Sequence, residues 1–342
     1  MPRNTQAGII EEADLRRYSR GASLEEWSNR ARALLNHQRR TWAQARNAFA
    51  ALARVRMRAF QVGGSTVRVQ YNPGRFAIAI ANLDPEHVGR RKCVLCAEHR
   101  PVEQRGLAYE DYILVINPAP IFSEHLTLIH GEHRPQALRD ALPVMLRLAK
   151  DLTARYTVLY NGPGVGASSP DHLHLQVCRK GVLPIEHDEG LQWATPSVVD
   201  RSGLSIARSA EGTRCVLRFR CANAESLTEA LHALFDILTG GDEPAVNVVC
   251  RCDASPGASG LEWSVIVIMR STFRPSCYCA ESDDRMLISP GVIDLAGVVI
   301  TPRRQDFDRL SADLLEGILR EVSLDASAFD GVCARLAEAL QA

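Results

Sequence analysis

The 342-residue chain has no net charge, since 40 lysines and arginines balance 40 aspartates and glutamates. A globally basic surface of the kind that captures nucleic acid or an anionic membrane is therefore excluded. No apolar run reaches the roughly 20 residues needed to span a bilayer. The opening residues MPRNTQAGIIEEADL also lack the apolar core of a secretory signal. The ten cysteines follow no regular spacing, which in a chain this long without a signal reads as reduced thiols and not a disulfide framework. The expectation is a cytoplasmic protein with neither nucleic acid nor membrane as partner. What is present fits a globular protein, at 46% hydrophobic and 23% charged residues.

Residues 161–176, NGPGVGASSPDHLHLQ, carry the most chemistry. His172, His174 and Gln176 alternate with Leu173, Leu175 and Val177. On a strand, successive side chains point to opposite faces, so the three polar groups share one face while the apolar ones face a core. The preceding loop offers Gly162, Gly164, Gly166, Ser168, Ser169 and Asn161. Glycines let backbone N–H groups approach an anion, and consecutive N–H groups form concave phosphate sites. A phosphate cradle leading into two histidines and an amide points to chemistry at phosphorus. A glycine-rich hairpin with a surface histidine pair is the alternative.

Cys93-Val-Leu-Cys96 is a C-x2-C pair, a common zinc half-site because the short turn aims both thiolates at one point. His133 and His172 are the natural candidates to complete a Cys2His2 site, which would tie three segments together. A redox pair or two inert thiols remain the other readings, although the flanking Arg90-Arg91-Lys92 and a proline-containing loop do not suit a thioredoxin-like βαβ context.

Asn161…Ser169…His172-Leu-His174-Leu-Gln176, with the upstream C-x2-C and His133, resembles the histidine-triad superfamily. More narrowly, it is similar to the branch containing galactose-1-phosphate uridylyltransferase, diadenosine tetraphosphate phosphorylase and the GDP-hexose phosphorylases. That branch ends its motif in glutamine where the hydrolases carry a third histidine. The resemblance covers roughly residues 65–310, and includes stretches similar to a bacterial family known only as a domain of unknown function. It implies an α+β fold, an antiparallel sheet with flanking helices arranged as two repeats forming a pseudo-dimer. It also implies structural zinc on Cys93, Cys96, His133 and His172, with His174 as nucleophile and Gln176 holding the phosphoryl oxygen. Asn161 and Ser169 would contact phosphates, and Asn72-Pro73 and Arg75 would match the base-and-ribose segment. An ordinary turn explains that last segment equally well. Asn117-Pro118 and His125 also match superfamily positions, with structural roles an equal reading. Ala167 and Pro170-Asp171 depart from the uridylyltransferase pattern, which puts hexose-1-phosphate transfer in doubt more than the histidine chemistry.

The chemistry stands without the family. A neutral imidazole attacks an α-phosphorus, releases the distal group, and an acceptor then takes the nucleotide, so one hard step becomes two easier ones. The attacking nitrogen must be unprotonated, so the other should donate to a fixed acceptor, for which the fold implied by the resemblance offers the carbonyl of His172. Glutamine cannot give up a proton as a third histidine could, which favours transfer or phosphorolysis over hydrolysis. The expected activity is a nucleotidyltransferase or phosphorylase, uridylyl- or adenylyltransferase-like. It would cleave a nucleotide-sugar or dinucleoside polyphosphate through a nucleotidyl-His174, with phosphate or a sugar phosphate as acceptor. A hydrolase of the same fold and a nucleotide-binding regulator without turnover are the alternatives.

Four zones follow along the chain. Residues 1–60 read as helical, from a capping-box signature at Ser23-Leu-Glu-Glu26 and a stripe through Leu24, Trp27, Ala31, Leu34, Trp42, Ala45, Phe49 and Leu52. That stripe needs a surface, in its own chain or in a homodimer. The arginines of this zone read as a solvated face or as phosphate steering. Residues 61–190 hold the catalytic half, with strands at Val67–Val69, Phe76–Ala81, Ile113–Ile116, Leu126–Ile129 and Thr157–Tyr160, and a helix opened by Pro143. Residues 191–300 read as a degenerate second half, because Leu126–Pro135 aligns with Ile266–Pro275 and sets Phe273 against His133. Residues 301–342 read as one amphipathic helix, through Phe307, Leu310, Leu314, Ile318 and Val322, and one more. Cys250/Cys252 and Cys277/Cys279 place two thiols on one strand face, as buried thiols or a second metal site.

Overall fold

The computed structural model describes residues 8–187, 191–201, 203–210, 212–255 and 260–341. The chain begins with α1 (Glu12–Arg17), α2 (Trp27–Thr41) and α3 (Ala43–Ala51). The apolar stripe buries Ala31, Leu34, Trp42, Ala45 and Phe49 against strands of the same chain. The capping box does not form: α2 starts after Glu26 with no side-chain cap, and Ser23 Oγ accepts from the nearby Glu25 N–H at 3.3 Å. Helix ends before residue 60. Arg56–Val62 is β1, paired antiparallel with β2 (Ser65–Tyr71) through a turn at Gly63 and Gly64, both at positive φ. Such a two-glycine turn matches the twist of its strands. The expected strand Phe76–Ala81 is instead the short helix α4 (Phe76–Ala79), followed by α5 (Pro85–Arg90). Its alternating Ala and Ile fit either period, and β2 already has its hairpin partner in β1.

Five strands then build half of a ten-stranded sheet: β3 (Gly106–Tyr109), β4 (Tyr112–Ile116), β5 (His125–His130), β6 (Tyr156–Asn161) and β7 (His174–Arg179). Between β5 and β6 runs α6 (Leu138–Asp151), with Pro143 inside it and not at its start. A proline there removes the hydrogen bond to the carbonyl four residues back; His232 Nε2 lies 3.4 Å from that Arg139 oxygen. The other half comprises β8 (Val199–Arg201), β9 (Leu204–Arg208), β10 (Val216–Cys221), α7 (Ala224–Thr239), β11 (Val246–Ala254) and β12 (Leu261–Met269). The sheet runs β3-β4-β5-β7-β6-β11-β12-β10-β9-β8, so each half has the same strand order and a helix after its third strand.

This order corrects the alignment of the halves. β5 occupies the position of β10, whereas β12 occupies that of β7, so Phe273 does not take the place of His133. Both segments are buried strands followed by Arg-Pro, a pattern any central strand can show. Cys250 and Cys252 are fully buried on β11. Cys277 and Cys279, by contrast, lie on the short helix α8 (Ser276–Cys279) and not on a strand.

The chain closes with α9 (Val292–Leu295), β13 (Val298–Thr301), α10 (Arg304–Arg309), α11 (Ala312–Val322) and α12 (Ala326–Gln341). The single amphipathic helix expected from Phe307 is thus two, broken at Leu310–Ser311, where Ser311 caps α11. β13 pairs parallel with β2, making a three-stranded sheet from residues far apart in the chain. One face of the large sheet (Leu126, Leu128, Leu175, Val177) packs with residues of α2, α6, α7 and α12. The other face (Leu159, Cys178, Val249, Ile266) packs with Val67, Val69, Val298 and Val299 of the small sheet. His174 and Gln176 alternate with Leu175 and Val177 and so lie on this second face. No described helix is long and apolar enough to cross a membrane.

Candidate active site

β7 lies between β5 and β6, with Ile129 opposite His174 and Thr127 opposite Gln176. His174 Nδ1 sits 2.8 Å from the carbonyl oxygen of His172. Only an N–H can satisfy that oxygen, so Nδ1 is protonated and Nε2 keeps its lone pair. Burial holds the His174 ring below the ordinary histidine pKa, against the opposing bond to His172. Gln176 Oε1 lies 2.9 Å from His125 Nε2, and His125 Nδ1 accepts from the Ile121 N–H at 3.2 Å. His125 therefore donates through Nε2, takes up the glutamine oxygen, and leaves the Gln176 amide N–H groups to point elsewhere. Burial pushes the His125 pKa down to about 4, so the ring that performs this orientation stays neutral.

Cys93, Cys96, His133 and His172 bring their ligand atoms within 4.8 Å of one another. His172 Nδ1 lies 3.3 Å from Cys93 Sγ and 3.6 Å from Cys96 Sγ, and His133 Nδ1 lies 3.2 Å from Cys96 Sγ. Zinc bonds of about 2.0–2.3 Å in a tetrahedron give ligand separations of about 3.5 Å, so this donor set fits a metal such as zinc. The second nitrogen of His172 is 2.9 Å from the His130 carbonyl, which fixes the tautomer with Nδ1 free to bind. Burial, then the neighbouring Cys93, pushes the Cys96 thiol up to about 12, a penalty a bound dication reverses.

A cleft on this face is lined by Asn161, Gly166, Ser168, Gln176 and Arg75. His174 is 7% exposed and is not among its lining residues; it lies two residues before Gln176 on the same strand face. Asn161 Oδ1 accepts from Asn247 Nδ2 at 2.9 Å and the Val292 N–H at 2.7 Å. Its Nδ2 has no partner among the described residues, so the amide hydrogens are available to the cleft. Gly166, at φ +122°, presses on this group: a Cβ there would stand 2.7 Å from Asn161 Oδ1 and 2.8 Å from Gly291 Cα. Gly164, also at positive φ, has open space around it. Ser169 is buried off the cleft, and its carbonyl accepts from the His172 N–H at 3.3 Å. Asn72 is likewise buried, its Nδ2 bonded to Gln70 Oε1 and the Pro120 carbonyl, so its amide hydrogens are taken up by the chain itself. Arg75 donates to the Ala119 carbonyl at 2.8 Å, and burial brings its pKa to about 10.

Several residues of this site carry no local sequence signal. Gln136 accepts from the His174 N–H at 2.8 Å and donates to the carbonyls of Asn161 and His174, joining the ends of β6 and β7. Arg91 donates to the Ser168 carbonyl at 2.9 Å and to Asp171 at 3.3 Å, and Asp171 lies 3.8 Å from His133 Nε2. The C-terminal third adds Phe273, Arg274 and Asp294 to the cleft. Asp294 is buried beside Arg75, and burial raises its pKa to about 6. Arg270 donates to Asn247 Oδ1 at 2.6 Å and to the carbonyls of Val165 and Pro290, holding the glycine loop against the C-terminal segment.

Two families match the chain: residues 34–179 match Domain of unknown function (DUF4922), and residues 209–342 match GDPGP1-like, C-terminal domain. No curated protein matches the sequence. Among solved structures, yeast Ap4A phosphorylase Apa2 in complex with AMP is similar at 16% identity and a TM-score of 0.52, over 82% of this chain and 95% of that one. The same yeast protein in complex with Ap4A is similar at 15% identity and a TM-score of 0.51, over 82% and 96%. At these identities the likeness is one of fold.

Proposed function

We propose, for a chain that belongs by fold to the histidine-triad-like branch of Ap4A phosphorylase, a nucleotidyltransferase or phosphorylase working through a nucleotidyl-His174 intermediate. One observation carries this reading: His174 donates its Nδ1–H to the His172 carbonyl and so has an unprotonated Nε2. The substrate is a nucleotide-sugar or dinucleoside polyphosphate. His174 Nε2 bonds to the α-phosphorus while the bond to the distal phosphoryl oxygen breaks, and that group leaves with the electron pair. Phosphate or a sugar phosphate then attacks the same phosphorus and releases His174. Gln176, its oxygen held by His125, offers amide hydrogens to the phosphoryl oxygen. Asn161 and Arg75 offer donors to the same substrate from the cleft wall. Zinc on Cys93, Cys96, His133 and His172 would tie three segments together and steady the carbonyl that accepts the His174 Nδ1–H. Glutamine at 176 has no ring proton to exchange, which favours these acceptors over water.

The test is incubation with a panel of α-labelled nucleotide-sugars and dinucleoside polyphosphates. The expected result is acid-labile, base-stable label on the wild-type chain, and product forming faster with phosphate than in water. His174→Gly should lose both label and turnover by orders of magnitude. Turnover near the wild-type rate in that variant would end this mechanism.

A further inference from the structure

Three arginines of the N-terminal zone play no part in the cleft and share one groove instead. Arg20, Arg32 and Arg39 line one groove of about 490 Å³ together with Ser123, Glu124 and Arg155. Arg155 and Glu124 satisfy each other through a two-pronged ion pair, with Arg155 Nε 2.7 Å from Glu124 Oε2. Arg20, Arg32 and Arg39 have no carboxylate partner among the described residues; Arg39 only stacks over Phe49 at 5.3 Å. Three arginines thus line one concavity whose single carboxylate is already committed. In a chain with zero net charge, that is a local concentration of cations and not a global bias. Guanidinium forks match phosphate oxygens with paired donors, and the Ser123 hydroxyl adds a further one.

We propose that this groove is a second ligand site, for a linear polyphosphate chain, free or carried by a nucleotide. Three uncompensated charges match a triphosphate better than a single phosphate. The site is distinct from the catalytic cleft. Arg155 directly precedes β6, while Asn161 of the cleft ends it, and six residues of strand separate them by roughly 16–20 Å. The groove nevertheless adjoins the catalytic machinery, because Ser123 and Glu124 run straight into His125, which orients Gln176.

Equilibrium dialysis of the full chain with inorganic triphosphate, ATP and orthophosphate tests this. The wild-type protein should bind triphosphate and ATP at the groove, and orthophosphate at least tenfold more weakly. Arg20→Asn with Arg32→Gln should weaken triphosphate binding at least tenfold at an unchanged melting temperature. Asn tolerates the left-handed backbone of Arg20, at φ 56°, and Gln suits the helix at Arg32. Arg39→Gln alone should weaken binding severalfold, a separate check should the double variant misfold. Arg75→Gln, a change in the cleft, should leave groove binding intact. Undiminished triphosphate binding in the groove variants would overturn the proposal, as would its loss in Arg75→Gln, its absence in the wild type, or equal affinity for orthophosphate.

Discussion

His125 shows how one buried ring serves both the site and the stability of the protein. It is fully buried, with Nδ1 accepting from Ile121 and Nε2 holding Gln176. Its folded pKa of about 4 lies below the unfolded value of 6.5. Between those two pH values the unfolded chain takes up a proton that the folded chain refuses, so stability falls as pH drops from 6.5 toward 4 and levels off below. The folded chain's refusal of that proton is worth on the order of 3 kcal/mol. Urea unfolding across this range should therefore show a shallower pH dependence for His125→Asn than for the wild type. Equal slopes would mean that His125 is not the residue responsible. Above pH 6.5 the same variant should lose turnover by releasing the Gln176 oxygen.

Among the elements, the glycine loop and the C-x2-C turn each hold a different part of the site in place. Gly166 combines a left-handed backbone with contact to Asn161 Oδ1 and Gly291 Cα, one side chain and one backbone. Backbone cannot swing aside, so Gly166→Ala should cost at least about 1–3 kcal/mol and raise KM for the nucleotide, whereas the equivalent change at Gly164 meets open space and is strained only by its φ of +69°. Parallel melting curves and kinetics separate the two. The Cys93, Cys96, His133 and His172 cluster makes a different demand. Cys93→Ser should lose the metal and destabilise the β3–β7 half, because a structural zinc site contributes directly to folding. Elemental analysis showing full zinc occupancy in this variant would remove Cys93 from the ligand set.

At the scale of the whole molecule, the half that carries His174 is built to depend on the rest of the chain. β2 is completed by β13, Asn161 is held by Asn247 and Val292, and β6 pairs with β11. A chain ending after residue 190 would expose the β6 edge and lose both partners of the Asn161 amide oxygen. It should be expressed without cooperative unfolding or metal-independent solubility, as circular dichroism and denaturant titration would report. A cooperatively folded fragment would show that the halves are independent units. The shared strand order of the two halves makes the same point: each brings five strands, but the sheet is continuous only through β6 and β11.

The sequence by itself determined the local chemistry. The alternation of His174 and Gln176 with Leu175 requires one shared face on any strand, although β7 begins at His174 and leaves His172, expected on the same face, in the segment before it, and a C-x2-C turn aims two thiols at one point whatever surrounds it. Spacing of this kind is a property of the backbone period, and so the strand face and the short turn were legible. Tertiary structure decided what no period encodes. Phe76–Ala79 is helix where both edges of the preceding β2 are already taken, by β1 and by β13. Asn72 donates its amide hydrogens to Gln70 Oε1 and to the Pro120 carbonyl, 48 residues away in sequence, and Ser169 is buried outside the cleft lining. The roles of Gln136, Arg91, Asp171, Arg270 and Asp294 arise only where separate segments meet. The same holds for the placing of Phe273, since a buried strand followed by Arg-Pro looks alike at β5 and at β12, and only hydrogen-bonded neighbours distinguish the two.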